Sequence, residues 1–448
     1  MATQLCEQCV QALGAFDYVA ANKLAARVLK ISPTLGSILS KLTNCESIFT
    51  QLSFLKPKWF FRKDNFLTSM YINLGEEIPQ HLPAMEATGL IIGTDSTEEY
   101  DMDLILAALK DVTKVRQGHI RIYRSMATYL LESSSTLTLD EVEALYNMTN
   151  EMELPDRLGL LGLSIEKEMN VLYALLKARD SIVYYAFQDT CISLYECRQD
   201  LNEWKKLVQE QEFPEKSSVN SQESRSSSTW RSLFFGIADS SKGYSRGDIL
   251  PHTIRWQMAY LENLTSKTTL YFNSILLAKE RKIVSNDDPE RSLWKGLRID
   301  YHDQICSFRK RYSALSIAFI YEVSPDIPFH PHGYVCSDTP YESPQGVHSF
   351  PFIYYYPKPP SREHLPNIIT MIQSCSPKLN DPKAAPLHFF DTKLASTYYL
   401  MRVDSRVVMV IIYLDQHAHP EQAAVDFMEN LVKSLRGAQV VSDLMSTD

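Results

Sequence analysis

The sequence predicts an α+β protein in two parts, an all-α helical bundle followed by a domain built on an antiparallel sheet. Three observations carry that prediction. Through the first two-thirds of the 448 residues, apolar side chains recur every three or four positions, the spacing of a helix face. From residue 315 onward, β-branched and aromatic residues gather in runs of strand length. A chain of 448 residues is also long for one core, since domains commonly hold ~100 to 200 residues, so two or three are expected. The predicted division is 1–288 for the bundle, with a Ser-rich loop or linker at about 212–250, and 289–448 for the α+β domain.

From Leu5 to about residue 55 the helical spacing breaks at Ile31-Ser32-Pro33, which predicts two helices. A third is expected from near Pro57, carrying Trp59, Phe60 and Phe61 and, beyond Arg62-Lys63-Asp64, Phe66, Met70 and Ile72. Gly75 to Glu99 contains Pro79, Pro83, Gly89 and Gly93 and reads as loop. Helical pattern resumes at Asp101 and runs to about Leu131, ending in Ser133-Ser134-Ser135. Thr138 with Glu141 three residues on is a capping box, hydroxyl and carboxylate satisfying the free amides of the next helix.

The strongest periodicity steps from Ile165 through Met169, Leu172 and Leu176 to Trp204 and Val208, interrupted only at Asp180. As one rod, Ser164 to Glu210 would be roughly 70 Å long at 1.5 Å per residue, so it is expected whole or split once. A buried bundle seam explains it more simply than a groove-binding or dimerising coil. Pro214 to Thr229 has seven serines among sixteen residues and almost nothing apolar, so it is expected to be a solvated linker whose serines are phosphorylation candidates. A helix from His252 to Ile283 then returns to the bundle with Trp256, Leu261, Leu264, Leu270, Phe272 and Leu276.

In the last third, a helix over Ser292–Tyr312 is followed by strands at Leu315–Tyr321 and Phe350–Tyr356. A helix at Pro366–Ser374 comes next, then strands at Leu387–Phe390, Ser396–Val403 and Val407–Leu414, then a helix at Glu421–Leu435. Such an order builds an antiparallel sheet with helices on a face. It is similar to the order of roadblock and longin modules, profilin-like platforms that serve mainly for pairing in small-GTPase regulators.

Lys plus Arg is 45 against 54 for Asp plus Glu, a net charge of −9, so no positive field gathers nucleic acid or anionic lipid. The longest apolar runs fall far short of the ~20 residues that cross a bilayer. The first residues carry no secretory or myristoylation signal and the last no prenylation cysteine, so any membrane location is expected to be indirect, through partners. The 8 cysteines lie scattered in apolar stretches, as buried thiols of a reducing compartment do. The sequons at Asn147 and Asn263 are discounted for the same reason.

No catalytic constellation stands out. Cys6-Glu-Gln-Cys9 has a knuckle spacing but no second pair to complete a site, and on a helix it puts two thiols on one face. His330-Pro-His332-Gly-Tyr-Val-Cys336, with His348 downstream, is the most ligand-like cluster and would suit zinc. Its simpler reading is a structured loop of hydrogen-bonded histidines. His388, Asp391 and Ser396 have the residue types of a hydrolytic triad without the nucleophile elbow one needs. Gly236 to Lys242 resembles a phosphate loop only superficially, with Ser where the second Gly belongs. No cofactor is expected.

The discarded catalysts are the residues that look familiar. His332-Gly333-Tyr334, Pro344-Gln345-Gly346-Val347, Pro366-Asn367-Ile368-Ile369 and His388-Phe389-Phe390-Asp391-Thr392-Lys393, running into Ser396-Thr397-Tyr398-Tyr399-Leu400-Met401-Arg402, resemble the KICSTOR subunit 2 family. Leu13 to Tyr18, Arg62-Lys63-Asp64 and Leu175 to Ala178 match the same family in the same order. The likeness is strong over about 303–436 and weak over 76–160 and 212–250, as in a divergent member of invertebrate rather than vertebrate type. The resemblance implies a non-enzymatic scaffold in a lysosome-associated assembly with kaptin, an integrin-alpha FG-GAP repeat protein and a very large seizure-threshold protein. That assembly recruits the GATOR complex, which stimulates GTP hydrolysis by Rag GTPases, and so restrains the rapamycin-sensitive mTOR complex when amino acids or glucose are scarce. Where the family carries further histidines after His-Gly-Tyr, this chain has Val335-Cys336-Ser337, which weakens a shared metal site.

The residues expected to dock partners are the aromatic clusters Trp59-Phe60-Phe61 and Tyr354-Tyr355-Tyr356, although most such side chains serve a core. The competing readings are a metal-dependent hydrolase using His330, His332, Cys336 and His348, and a homo-oligomeric helical structural protein.

Overall fold

A computed structural model of the chain describes residues 2–55, 65–78, 96–132, 137–211, 250–283, 289–333, 341–416 and 420–441. The first stretch holds three helices where two were expected: α1 (Ala2–Gly14), α2 (Tyr18–Leu29) and α3 (Pro33–Thr50). The additional break lies at Phe16, whose φ of 61° ends α1, and Asp17, whose carboxylate caps α2 by accepting from the Ala20 amide at 2.8 Å. A short polar residue and one left-handed residue leave almost no trace in apolar periodicity. Next come α4 (Phe66–Glu77), which continues through the start of the expected loop, and α5 (Ser96–Glu132). Trp59, Phe60 and Phe61 lie outside the described residues.

The capping box forms as expected at α6 (Leu139–Glu151). Thr138 Oγ1 accepts from the Glu141 amide at 3.3 Å and Glu141 Oε2 from the Thr138 amide at 3.0 Å. A short α7 (Leu154–Leu158) leads into α8 (Leu160–Val183) and α9 (Phe187–Gln211). The long periodic segment therefore splits once, at Tyr184–Ala186, with Tyr185 at φ 57°. The two halves fold into an antiparallel hairpin that Lys167 clips by reaching Asp200 at 2.7 Å and Glu203 at 2.6 Å. The Ser-rich segment lies outside the described residues. Beyond it, α10 (His252–Tyr271) and α11 (Asn273–Ile283) replace one expected helix, and α12 (Pro289–Trp294) and α13 (Tyr301–Tyr312) replace another, with Gly296 at φ 87° in the turn between them.

The five strands are β1 (Ser316–Tyr321), β2 (Phe352–Tyr356), β3 (Leu387–Asp391), β4 (Ser396–Asp404) and β5 (Val407–Tyr413), in the order β2-β1-β5-β4-β3. Every neighbouring pair is antiparallel. Helices α14 (His364–Ser374) and α15 (Ser376–Leu379) separate β2 from β3, and α16 (Gln422–Arg436) follows β5. Helices were expected on a face; they cover both. Ile317, Phe319, Met409 and Ile411 point into the core shared with the bundle and α16. Their alternates Ile320, Val408, Val410 and Ile412 pack on Ile368, Ile372 and Leu379 of α14 and α15.

Helix α10 is the axis of this arrangement. Every residue from Asn263 to Asn273 is buried, including Ser266, Lys267, Thr268 and Thr269, because helices flank one side and the sheet the other. The hydroxyls of Thr265, Thr268 and Thr269 donate to the carbonyls four residues back, at 2.7 to 3.0 Å, which satisfies them without leaving the helix. One hydrophobic cluster runs from α1 through α10 to the sheet. Among the described residues, no helix is long and apolar enough to cross a membrane.

Candidate functional site

Side chains of the β3–β4 hairpin are engaged locally. Strand register pairs His388 with Tyr399, Phe389 with Tyr398 and Asp391 with Ser396. Asp391 accepts from the Lys393 amide at 2.8 Å, shaping the turn, and its other oxygen accepts from Asn367 of α14. Ser396 Oγ donates to the Leu394 carbonyl at 2.8 Å, and the His388 ring lies against the Tyr399 ring at 5.1 Å. The three residues of hydrolytic type thus share one hairpin, but the serine hydroxyl is bonded to backbone and not to the histidine. Thr397 donates to the Asp415 carbonyl at 2.6 Å, Tyr398 bonds buried His364 at 2.7 Å, and Arg402 pairs with Glu322.

The histidine loop is similarly tied down. His330 meets the Tyr341 ring edge-on at 5.4 Å, and the Tyr341 hydroxyl accepts from the Phe329 amide at 3.0 Å. His332 and His348 are exposed. Gly333 has φ +78° and packs so closely on α9 that an added Cβ would lie 2.7 Å from Phe187 Cβ. Tyr334 and Cys336 fall outside the described residues, and among the described residues no three His, Cys, Asp or Glu side chains are grouped to hold a metal. Cys6 and Cys9 do share one buried face of α1, and burial pushes their thiols up to about 12 and about 11. Asn263 is buried, donating to the Ser434 carbonyl at 2.8 Å, so its sequon is closed to glycosylation.

The tyrosine triplet of β2 divides between core and surface. Tyr354 is buried with its hydroxyl 2.7 Å from His302 Nδ1, and the Tyr356 ring lies edge-on to His302 at 5.5 Å. Only Tyr355 is largely exposed, at 44%. It stands on one outer strand of the sheet, while β3, half-buried along its length, forms the other.

Sequence reasoning missed two buried ionic networks. In the bundle, Arg116 of α5 bridges Glu46 of α3 at 2.8 Å and Glu168 of α8 at 2.5 Å. Tyr71 and Tyr123 donate to the same carboxylates, and Gln257 of α10 donates to Tyr123. Burial alone would lower the Arg116 pKa, but Glu46 and Glu168 outweigh it and raise it well above its ordinary value. Burial, then the Arg116 charge, hold His119 well below 6.5, so its Nδ1 accepts from Arg116 at 3.1 Å as a neutral ring. At the seam between bundle and sheet, Lys267 of α10 pairs with Asp404 at the end of β4. The one available signal was a charged residue inside each apolar stripe, which does not name its partner 70 or 137 residues away.

The family model described as KICSTOR complex C12orf66 like matches residues 13–447, from α1 past the end of α16. The chain belongs to this KICSTOR family. It is 24% identical over 419 residues to a protein named KICSTOR subunit 2 from Xenopus laevis, covering 91% of this chain and 86% of that relative. To the KICSTOR subunit 2 of Danio rerio it is 25% identical over 443 residues, covering 96% of this chain and 91% of the relative. Both names are those of a subunit of a complex. The KICSTOR match thus takes in both the bundle and the sheet.

Proposed function

We propose that this chain is a non-enzymatic scaffold subunit of a KICSTOR-like assembly. The observation that carries the reading is the match to the KICSTOR family over residues 13–447, with relatives named as subunits aligned over nearly their whole length. In this reading its partners are kaptin-like, integrin-alpha FG-GAP repeat and large seizure-threshold-like subunits, and through them the GATOR complex. The protein is cytoplasmic and reaches the lysosomal membrane only through those partners, where the assembly restrains mTOR complex signalling during amino-acid or glucose starvation.

The described parts of the bundle and of the α+β module would act as one rigid body, since one hydrophobic cluster runs through both. The antiparallel order β2-β1-β5-β4-β3 with helices on both faces supports a roadblock- or longin-like pairing platform, and the exposed Tyr355 edge is its candidate docking surface. Affinity purification from starved cells is expected to recover the large partner subunits, and lysosomal localisation is expected to vanish when they are removed. Persistence on lysosomes in their absence would contradict the proposal.

A further inference from the structure

Where the end of α8, the β4–β5 turn and the end of α16 meet, bundle and sheet do not close completely on each other. A cavity of about 410 Å³ remains, within the ~300 to 1,000 Å³ typical of small-molecule sites. Arg179, Arg402 and Arg436 line it together with Asp180 and Asp404, while Tyr129, Val183 and Tyr184 contribute ring and aliphatic surface. A bulge in β4 arranges this edge. Arg402 faces Val408 of β5 and Asp404 faces Val407, so the extra residue turns Asp404 toward α10 and leaves Arg402 on the other face.

The charges do not balance. Lys267 and Asp404 neutralise each other, with Tyr271 donating to the same carboxylate. Arg179 places Nε and Nη2 on one oxygen of Asp180, at 2.7 and 2.6 Å, and stacks on Tyr129 at 4.5 Å. Arg402 pairs with Glu322 through Nη1, but its buried Nε has no partner among the described residues, and its side chain is only 8% exposed. Among the described residues Arg436 donates to carbonyls, those of Val403 at 2.9 Å and Arg402 at 2.8 Å, and to no carboxylate. Of the three arginines that line the cavity, Arg179 and Arg402 each pair with a carboxylate and Arg436 does not, and the neighbouring cleft adds Lys378 and Asp381, one charge of each sign.

A guanidinium without a counter-charge, as at Arg436, or with a buried N–H unpartnered among the described residues, as at Arg402, is costly beside a low-dielectric core, and its planar fork matches the oxygens of carboxylate and phosphate. We propose that this cavity binds a small organic anion through a carboxylate or phosphate group, held by Arg402 and Arg436, with the aromatic wall of Tyr129 and Tyr184 seating its body. Such a ligand touches α8, β4 and α16 together, so it stabilises the closed seam in proportion to its concentration.

The test uses the full chain, with inorganic phosphate and succinate as separate probes and sodium chloride at matched ionic strength as control. Calorimetric titration and thermal melting are expected to show saturable binding of one probe, with a rise in melting temperature that chloride does not reproduce; which probe binds tells phosphate from carboxylate. Arg436→Gln, which retains a donor for the backbone carbonyls, is expected to weaken binding about tenfold or more. Ser405→Asp adds a carboxylate at the exposed rim, away from the core, and is expected to do the same; it decides the matter alone if Arg436→Gln does not fold. No saturable binding of either probe up to about 10 mM overturns the proposal. So does binding that Ser405→Asp leaves unchanged.

Discussion

Lys267 and Asp404 form an ion pair sealed between helix α10 and the end of β4, with Nζ 2.9 Å from Oδ1 and 2.8 Å from Oδ2. Their side chains are 4% and 1% exposed, and Tyr271 donates to the same carboxylate. Two charges this deep gain little over an apolar pair of equal volume, because desolvation offsets attraction. What the pair does is fix which turn of α10 meets which residue of β4.

Asp404→Ala leaves an ammonium buried without a counter-charge. A loss of about 3–5 kcal/mol in unfolding free energy is expected from urea titration, whereas Lys267→Met with Asp404→Leu together recovers most of it. If Asp404→Ala unfolds at the parent midpoint, the pair is not sealed in solution.

His119 sets a pH response. Its folded pKa lies well below the 6.5 of an unfolded histidine, because burial and Arg116 disfavour the charged ring. The unfolded chain therefore binds the proton first: the contribution of His119 is fully present above pH 6.5 and is lost as pH falls below it. The slope is up to about 1.4 kcal/mol per pH unit. Denaturation midpoints from pH 7.5 to 5 are expected to fall less steeply for His119→Phe than for the parent. Equal slopes would mean that the ring titrates in the folded state.

Gly333 and Gly346 provide a paired test of close packing in the family-motif loops. Both have positive φ, but an alanine methyl meets Phe187 at position 333 and nothing within 4 Å at 346. Gly346→Ala is expected to cost about 1 kcal/mol of backbone strain, and Gly333→Ala at least about 2 kcal/mol more from overlap. Indistinguishable thermal stabilities of the two variants would show that the loop does not pack on α9 as described.

Phe389→Asp tests the outer strand β3. Phe389 is half-buried against the core between the sheet and α14, so the charge removes an apolar contact and stands near Asp391. A loss of about 1–3 kcal/mol is expected, less than at a sealed position. Unchanged thermal stability would remove β3 from the folded sheet.

Element types were legible because each rests on a local pattern. Thr138 and Glu141 cap α6 within four residues of each other, and the runs at 316–321 and 407–413 form strands of the expected length. The places where expectation and structure part are single-residue events, such as Phe16, Tyr185 and Gly296 at positive φ, which periodicity averages away. Family membership was likewise legible, since it rests on residue order alone.

Tertiary structure decided the rest. Which charge answers Arg116, that the hydroxyl-rich face of α10 is interior, that Tyr354 is core while Tyr355 is surface, and that arginines from α8, β4 and α16 converge on one cavity are relations between distant segments. A one-dimensional pattern records the face each residue presents within its own element. The neighbour that face meets is set by how the bundle and the sheet pack around α10, and no local spacing encodes it.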